Sequence, residues 1–217
     1  MITVIDYGAG NLHSVENALR FLRVPHTVTS KVDDVEHAPA ILLPGVGHFG
    51  HMMRSLDTLG LVPVLREAVG RGVPYLGICL GMHALFDGSE EAPTLPGLRI
   101  FPGAIRRFPE GRKVPHMGWN QLQVMPRSRL FQGVADGSCV YFAHSYYLPD
   151  SEISSSGETA PGKAALSDYG ESFVAAVEQD NIYGTQFHPE KSGETGLQIL
   201  RNFAAIGMRR QGGGHAG

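Results

Sequence analysis

Cysteine is scarce in this chain, since Cys79 and Cys139 are the only two among 217 residues. A small domain held together by disulfide bonds needs more cysteines than two, so that class of protein is excluded. The chain also lacks any apolar run of 18 residues, and no basic segment precedes its first apolar run, Met1–Ile5. Both absences argue against a membrane span and a secretory signal. We therefore expect a soluble, cytoplasmic protein with reduced thiols.

Positive charge is not in excess either. The chain carries 18 Lys and Arg against 21 Asp and Glu, which excludes a dedicated nucleic-acid-binding protein. No CxxC or HExxH motif occurs, and His48 and His51 have no obvious third ligand nearby. We predict no metal site, no nucleic-acid partner and no membrane association.

The first half of the sequence alternates apolar strand-like runs with helical periodicities. Such a succession implies a parallel sheet covered on both faces. The predicted fold class is α/β, with a mostly parallel central sheet flanked by helices and with added antiparallel strands. Strands are predicted at Ile2–Asp6, His26–Thr29, Ala40–Pro44 and Val73–Cys79, and helices begin near Asn11 and Leu61.

The added antiparallel strands are predicted in the second half. Short strand-like runs broken by Gly and Pro occupy 98–147, and two further runs, Ser172–Val177 and Asn181–Phe187, are predicted to pair across a turn. An exposed loop is predicted at Ser151–Lys163, and a last helix from Ser192. We predict one domain over 1–207 and a flexible C-terminal tail over 208–217.

The strongest local signal is Gly77-Ile78-Cys79-Leu80-Gly81, which has the form of a nucleophile elbow with Cys in the place of Ser. Glycines permit a sharp turn, and a helix N-terminus beside the thiol favours the thiolate. The N–H of Leu80 would then face an oxyanion. A buried core thiol is an equal alternative for Cys79 taken alone. Cys139, which has no such frame, is predicted to lie in the core.

A thiol nucleophile needs a base and a group that orients the base. His188 and Glu190 follow the predicted strand that ends at Phe187, with a stiff proline between them. Alone, the pair is more typical of an exposed loop. Because the same chain also contains the elbow, we predict that His188 is the base for Cys79 and that Glu190 orients the His188 ring.

These motifs and the interrupted parallel sheet resemble the class-I, or triad, glutamine amidotransferase family over about residues 1–207. The resemblance implies hydrolysis of glutamine by Cys79, His188 and Glu190, without a metal or organic cofactor, and delivery of ammonia to a synthase partner. Four segments look like the glutaminase subunit of imidazole glycerol phosphate synthase, an enzyme of histidine biosynthesis: Ile5–Leu12, Leu43–Phe49, His116–Asn120 and Phe187–Ser192.

That resemblance implies that the partner is a TIM-barrel cyclase, with which the chain forms a heterodimer. It also implies further site residues, which we state as expectations. The expected oxyanion and substrate contacts are Gly45, Val46, Gly47, Leu80, His83, His144, Ser145 and Tyr146. The expected partner contacts are Asn11, Trp119, Asn120, Tyr141 and Lys191. For Trp119 the residues alone favour the core, and the resemblance favours the interface.

Two positions depart from the pattern of relatives. His83 stands where most relatives carry a substrate-contacting Gln. An imidazole can donate and accept at the same time, as an amide does, only if one ring nitrogen donates and the other accepts. Val46 stands where many carry a second Gly. Because valine resists positive φ, a peptide flip that completes the oxyanion hole would be disfavoured until a partner biases it.

Three alternatives remain open from the sequence. The chain could serve another ammonia-using synthase, act alone as a Cys-dependent hydrolase, or bind a cyclase without turning over glutamine. Only His83 supports the non-catalytic alternative.

Overall fold

The computed structural model describes residues 1–8, 11–155 and 161–212. Its strands are β1 Ile2–Ile5, β2 His26–Thr29, β3 Ile41–Leu43, β4 Tyr75–Ile78, β5 Gly88–Ser89, β6 Ala104–Arg107, β7 His116–Gln121, β8 Gln123–Val124, β9 Cys139–His144, β10 Tyr146–Tyr147, β11 Gly162–Asp168, β12 Ser172–Gln179 and β13 Ile182–Thr185. Its helices are α1 Leu12–Phe21, α2 Val32–Glu36, α3 Phe49–Thr58, α4 Leu61–Gly70, α5 Leu80–His83, α6 Asp150–Ser155 and α7 Gly193–Gly212, with a 3-10 turn at Pro189–Lys191.

An eight-stranded sheet forms the centre, in the spatial order β2-β1-β3-β4-β13-β12-β11-β8. The strands from β2 to β13 in this order pair in parallel, and the remaining pairs are antiparallel. The predicted α/β class, with its added antiparallel strands, is confirmed. A parallel sheet of apolar strands must bury both faces, which explains why β1, β3 and β4 contain only buried residues.

Two apolar cores lie against opposite faces of this sheet. Alternation along β3 sends Ile41 and Leu43 into one core and Leu42 into the other. Helices α3 and α4 cover the first core through Met52, Leu56, Leu61 and Leu65. Helices α1 and α7 cover the second through Val15, Leu19, Ile199 and Phe203.

The strands β3, β4 and β13 are neighbours at the middle of the sheet, and all run in the same direction. Their carboxyl ends therefore meet at one edge, where α/β proteins place their ligands. The three connections that leave this edge contain the 44–47 loop, the Cys79 elbow and His188. A separate ribbon of β7 and β9 pairs His116 with His144 and Trp119 with Tyr141.

Several local predictions need correction. Helices α2 and α3 were not predicted, although Phe49, Met52, Met53 and Leu56 in α3 have helical spacing and are buried. The predicted loop Ser151–Lys163 contains most of α6 and the start of β11, and its residues 156–160 lie outside the described part of the chain.

The last helix also extends further than the predicted domain. It continues through 208–212, which were assigned to the tail. Met208 is exposed, so the helix continues beyond the turn that buries Phe203 and Ala204. Residues 213–217 lie outside the described residues.

Cys139 is exposed, contrary to the core position predicted for it. It opens β9, whose core-facing residues are Val140, Phe142 and His144. Strand alternation therefore points the side chain of Cys139 away from the core.

Candidate active site

The elbow at Cys79 is a tight turn between β4 and α5. Cys79 has φ +52° and ψ −106°, a conformation that side chains other than glycine rarely adopt. Its N–H donates to the carbonyl of Thr185 at 2.7 Å, and its carbonyl accepts from the N–H groups of Met82 and His83. The helix after the elbow, α5, is short and ends at His83.

The two glycines of the elbow are required by close packing. A Cβ at Gly77 would overlap the carbonyl of Gly81, and a Cβ at Gly81 would overlap the carbonyl of Leu43. The two glycines of the GxCxG pattern are therefore needed because they let the strand, the turn and the helix pack closely. They are not needed for backbone conformation, since neither has a positive φ.

The imidazole of His188 lies between Cys79 and Glu190. Its Nδ1–H donates to Glu190 Oε1 at 2.9 Å, which leaves Nε2 for the hydrogen bond with Cys79. Both side chains of the His188–Glu190 pair are nearly inaccessible, at 3% and 1% exposure. Burial lowers the pKa of His188, but the hydrogen bonds and charges of Cys79 and Glu190 outweigh it and raise the pKa to about 10. The arrangement therefore favours the charged, imidazolium form of His188.

The turn that carries His188 is attached to β9. The N–H of His188 donates to the carbonyl of Tyr141 at 2.9 Å. The Ser192 hydroxyl donates to the carbonyl of His188 at 2.6 Å and accepts from the N–H of Tyr141 at 2.9 Å. These three bonds form a ring that fixes the imidazole relative to the strand.

The loop after β3 packs directly on the elbow. A Cβ at Gly45 would lie 2.8 Å from the Gly81 nitrogen, so the loop can pack this closely on the elbow only with glycine at position 45. Gly47 has φ +93°, whereas Val46 keeps a φ outside the left-handed region. The N–H of Val46 donates to the Tyr7 hydroxyl at 3.3 Å. Burial raises the pKa of Tyr7 to about 12, so this phenol stays protonated.

Gln186 connects Cys79 to His83 behind the elbow. Its Nε2 donates to Cys79 Sγ at 3.7 Å, and its Oε1 lies 2.7 Å from His83 Nε2. Because Oε1 can only accept, His83 carries its proton on Nε2. Its Nδ1 is buried without a partner, and burial lowers the pKa of His83 to about 4. Gln186, between Thr185 and Phe187 and two residues before His188, was not among the predicted site residues.

A second polar chain runs through His144. Its Nδ1–H donates to the carbonyl of Tyr146 at 2.9 Å, and its Nε2 accepts from His116 Nδ1 at 3.0 Å. The amide of Asn120 donates to His116 Nε2 at 3.4 Å. Burial lowers the pKa of His116 to about 4 and that of His144 well below its usual value. Both nitrogens of His144 are thus occupied within the protein, so its ring has no nitrogen left for a ligand.

A cavity of about 370 Å³ opens above Cys79. The predicted site residues that line it are Asn11, Val46, Gly47, Cys79, Leu80, His83, His144, Ser145, Tyr146, His188 and Lys191. Gly45 and Glu190 lie behind this lining, and Trp119, Asn120 and Tyr141 lie outside it. Glu91, Pro115, Met117 and Ala143 also line the cavity and were not predicted.

An aromatic surface lies next to the cavity on the β7–β9 ribbon. Trp119 is 59% exposed and Met117 is 64% exposed, on the same face of β7. The ring of Trp119 meets Tyr141 edge-on at 6.1 Å, and Lys191 Nζ lies 5.9 Å from the centre of the Tyr141 ring. Asn120 points to the other side, where its amide donates to the carbonyl of Asp168. The structure therefore groups four of these side chains and separates Asn120 from them.

Within the described residues, no group of three or more His, Cys, Asp and Glu side chains is placed to hold a metal ion. None of the helices in that part of the chain is both long and apolar enough to cross a membrane.

Comparison with known proteins agrees with this geometry. The family model for class-I glutamine amidotransferases matches residues 3–206. A crystal structure of a glutamine amidotransferase superposes with a TM-score of 0.74 at 19% identity, covering 96% of this chain and all of that chain. The glutaminase domain of Trypanosoma brucei CTPS, with bound acivicin, superposes with a TM-score of 0.66 at 17% identity, over 94% and 93% of the two chains. The chain belongs to the class-I glutamine amidotransferase family.

The curated relatives narrow the family to one group. A HisH subunit of imidazole glycerol phosphate synthase from Moorella thermoacetica is 44% identical and covers 99% of both chains. The HisH subunit from Methanothermobacter thermautotrophicus is 47% identical over 95% of this chain and 98% of its own length. One from Bacillus cereus is 45% identical over 95% of each. Within its family, the chain groups with the HisH subunits of imidazole glycerol phosphate synthase.

Proposed function

We propose that this chain hydrolyses glutamine to glutamate and ammonia and supplies the ammonia to a cyclase subunit of imidazole glycerol phosphate synthase. The observation that carries the proposal is that Cys79 and His188 line one cavity and that the His188 ring is bonded to Glu190 on its far side. The cytoplasmic location expected from the sequence belongs to the same proposal.

In the first step, the Cys79 thiolate attacks the side-chain carbonyl carbon of glutamine. The C–S bond forms, and the carbonyl π electrons move to the oxygen. The His188 imidazolium then gives its Nε2 proton to the leaving nitrogen, the C–N bond breaks, and ammonia departs. Glu190 keeps the ring in place and stabilises its charged form through the 2.9 Å bond to Nδ1.

In the second step, water attacks the thioester. Neutral His188 removes a proton from this water as the C–O bond forms, and the C–S bond then breaks to release glutamate and the thiolate. The enzyme thus returns to the thiolate–imidazolium state in which it began.

The oxyanion of both steps needs N–H donors. Leu80 begins α5, and the first N–H groups of a helix have no partner within it. The 44–47 loop supplies the second donor, because Gly45 packs against Leu80. The Val46 N–H is bonded to Tyr7 in this structure, so the loop must rearrange before that donor reaches the oxyanion. Losing one such donor costs about 3 kcal/mol in other enzymes.

His83 supplies a substrate contact of restricted type. With its Nε2–H committed to Gln186, its free Nδ1 lone pair accepts a hydrogen bond but cannot donate one. We assign Ser145 and Tyr146 to the same pocket because they line it beside His83.

We assign the partner surface to Trp119, Met117 and Tyr141, with Lys191 and Asn11 at the cavity rim, because the first two are exposed and the last two line the cavity. Exposed tryptophan and tyrosine are typical anchors of protein interfaces. A cover over the cavity would also keep ammonia from water, where it would become ammonium.

The test is glutamate release by this chain alone, with the cyclase, and with the cyclase and its ribonucleotide ligand. We expect strong stimulation by the liganded cyclase, abolished by Cys79→Ala and retained by the matched variant Cys139→Ala. Stimulation by the cyclase of this enzyme, and not by another ammonia-using synthase, supports the partner. No glutamate release under any of these conditions would overturn the proposal.

A further inference from the structure

Gln186 is polar, completely buried and bonded to the reacting sulfur, yet it does not line the cavity. Its backbone is fixed by a bond from its N–H to the carbonyl of Ala175 at 2.8 Å. It therefore contacts neither substrate nor solvent, and the triad mechanism gives it no task.

The orientation of the Gln186 amide decides whether an N–H donor or a carbonyl oxygen faces the sulfur of Cys79. With Nε2 toward the sulfur, the amide donates a hydrogen bond, which favours the thiolate over the thiol. In the reversed orientation, the amide oxygen would face the sulfur and repel a thiolate. Which orientation forms depends on the tautomer of His83: with its proton on Nε2, the ring donates to Gln186 Oε1 at 2.7 Å.

His83 is suited to make this selection. It is buried, and burial keeps its ring neutral, with a pKa of about 4. A neutral ring with its proton on Nε2 donates to Oε1 and thereby directs the amide nitrogen to Cys79.

We propose that Gln186 is a positioning residue that stabilises the Cys79 thiolate, and that His83 holds its amide in the orientation that does so. The proposal rests on the function proposed above, since it concerns the state of that nucleophile. It assigns His83 a second task beside its contact with substrate.

The experiment measures alkylation of Cys79 by iodoacetamide as a function of pH, in a Cys139→Ser background so that one thiol is followed. Gln186→Met keeps the length and flexibility of the side chain but cannot donate. We expect its alkylation midpoint to move to higher pH, with a rate near neutral pH that is about tenfold lower, as for one lost hydrogen bond to a charged group. Gln123→Leu, on the distant edge strand β8, is the control and should match the parent.

Variants at His83 separate the two parts of the proposal. His83→Met leaves Gln186 without its donor and should shift the midpoint in the same direction. His83→Gln restores an N–H donor and should return the midpoint toward the parent value. If Gln186→Met does not fold, this second pair of variants carries the test.

A merely structural role predicts a different result. It would lower the urea midpoint of unfolding without moving the pH midpoint of alkylation. In the assembled enzyme, Gln186→Met should lower kcat and leave KM unchanged, because Gln186 lies behind the cavity lining. Unmoved alkylation midpoints in Gln186→Met and His83→Met, in a chain that still releases glutamate with its partner, would overturn this inference alone. A parent chain that never releases glutamate would overturn the proposed function instead.

Discussion

The side chain of Cys79 is presented to the cavity at the cost of an unfavourable backbone conformation. Its φ of +52° belongs to a region that only glycine occupies freely. Hydrogen bonds from the neighbouring strand and helix hold the residue there, so the strain is a fixed part of the site.

This strain predicts an unusual order of stabilities at one position. Cys79→Gly should unfold with a free energy about 1 kcal/mol higher than Cys79→Ala, because alanine retains the penalty of a Cβ at positive φ. Urea unfolding of the two variants measures the difference.

Cys139 supplies the control for this comparison. It lies in the strand β9, where glycine is less favourable than alanine, so Cys139→Gly should be the less stable variant of its pair. The same order at both positions would contradict the strain at Cys79.

At the residue scale, the sequence indicates a shared position best where chemistry leaves a local pattern. The elbow around Cys79 and the His188–Glu190 pair are short motifs, and the structure brings them together. Gln186 carries no such pattern, since its contact with Cys79 joins residues 107 apart in the chain. The inward position of Asn120 was likewise hidden, because it depends on which face of β7 meets Asp168.

At the scale of the element, the 44–47 loop is the part of the proposed site that would have to rearrange. Its Val46 N–H is bonded to the Tyr7 hydroxyl, and the φ of Val46 lies outside the left-handed region. A peptide flip toward the oxyanion requires both features to change.

Val46→Gly should therefore raise glutamate release by the chain alone about tenfold, since positive φ at a non-glycine residue costs about 1–3 kcal/mol. Val46→Ala is the matched control, because it shortens the side chain but keeps the Cβ, and it should retain low basal activity. Equal basal rates for Val46→Gly and the parent would refute this account of the loop.

Apart from α3, which was not predicted although its apolar residues have helical spacing, the successes and failures at this scale have one physical cause. Helices and strands with strong apolar periodicity, such as β1 and α4, lie close to where the sequence places them. Helix α2 has five residues, too few for a period to register, and α6 is polar. The end of α5 is set by the chain leaving at Ala84, which no local signal marks.

At the scale of the molecule, three buried histidines, His83, His116 and His144, make stability sensitive to acid. Burial lowers the pKa of each of them. Below pH 6.5 the unfolded chain takes up protons that the folded chain cannot accept, so stability falls as the pH falls toward 4. His188 acts in the opposite sense, because its raised pKa of about 10 stabilises the fold at low pH and ceases to do so as the pH rises through 10.

Between pH 7 and pH 5, His83 and His116 should each lower the free energy of unfolding by about 1–2 kcal/mol, His144 should act in the same direction, and His188 should offset less than about 1 kcal/mol. Urea unfolding at both values measures the loss, and His116→Gln should remove about a third of it. His51→Gln, at an exposed position, is the control. A free energy of unfolding that is the same at both pH values would contradict the buried neutral state.

The exposed aromatic surface is the partner surface proposed above, and it can be tested by mutation. Trp119→Ala should weaken binding of the cyclase about tenfold or more, since interface tryptophans often contribute about 2 kcal/mol. Phe21→Ala, at the end of α1 and 70% exposed, removes a comparable aromatic elsewhere and should leave the affinity unchanged. Equal losses for both variants would argue against the β7–β9 face.

The hydrogen bonds among Tyr141, His188 and Ser192 couple strand β9 to the turn that carries His188, so the two should move together. The Tyr141 side chain lies on the exposed aromatic surface, and the His188 imidazole lies in the cavity. A partner that shifts strand β9 on docking would therefore also shift His188, through the backbone rather than through a series of side chains. The backbone amide proton of Tyr141, held by the Ser192 hydroxyl, is the natural gauge of that displacement, and its exchange with deuterium should slow when the partner docks.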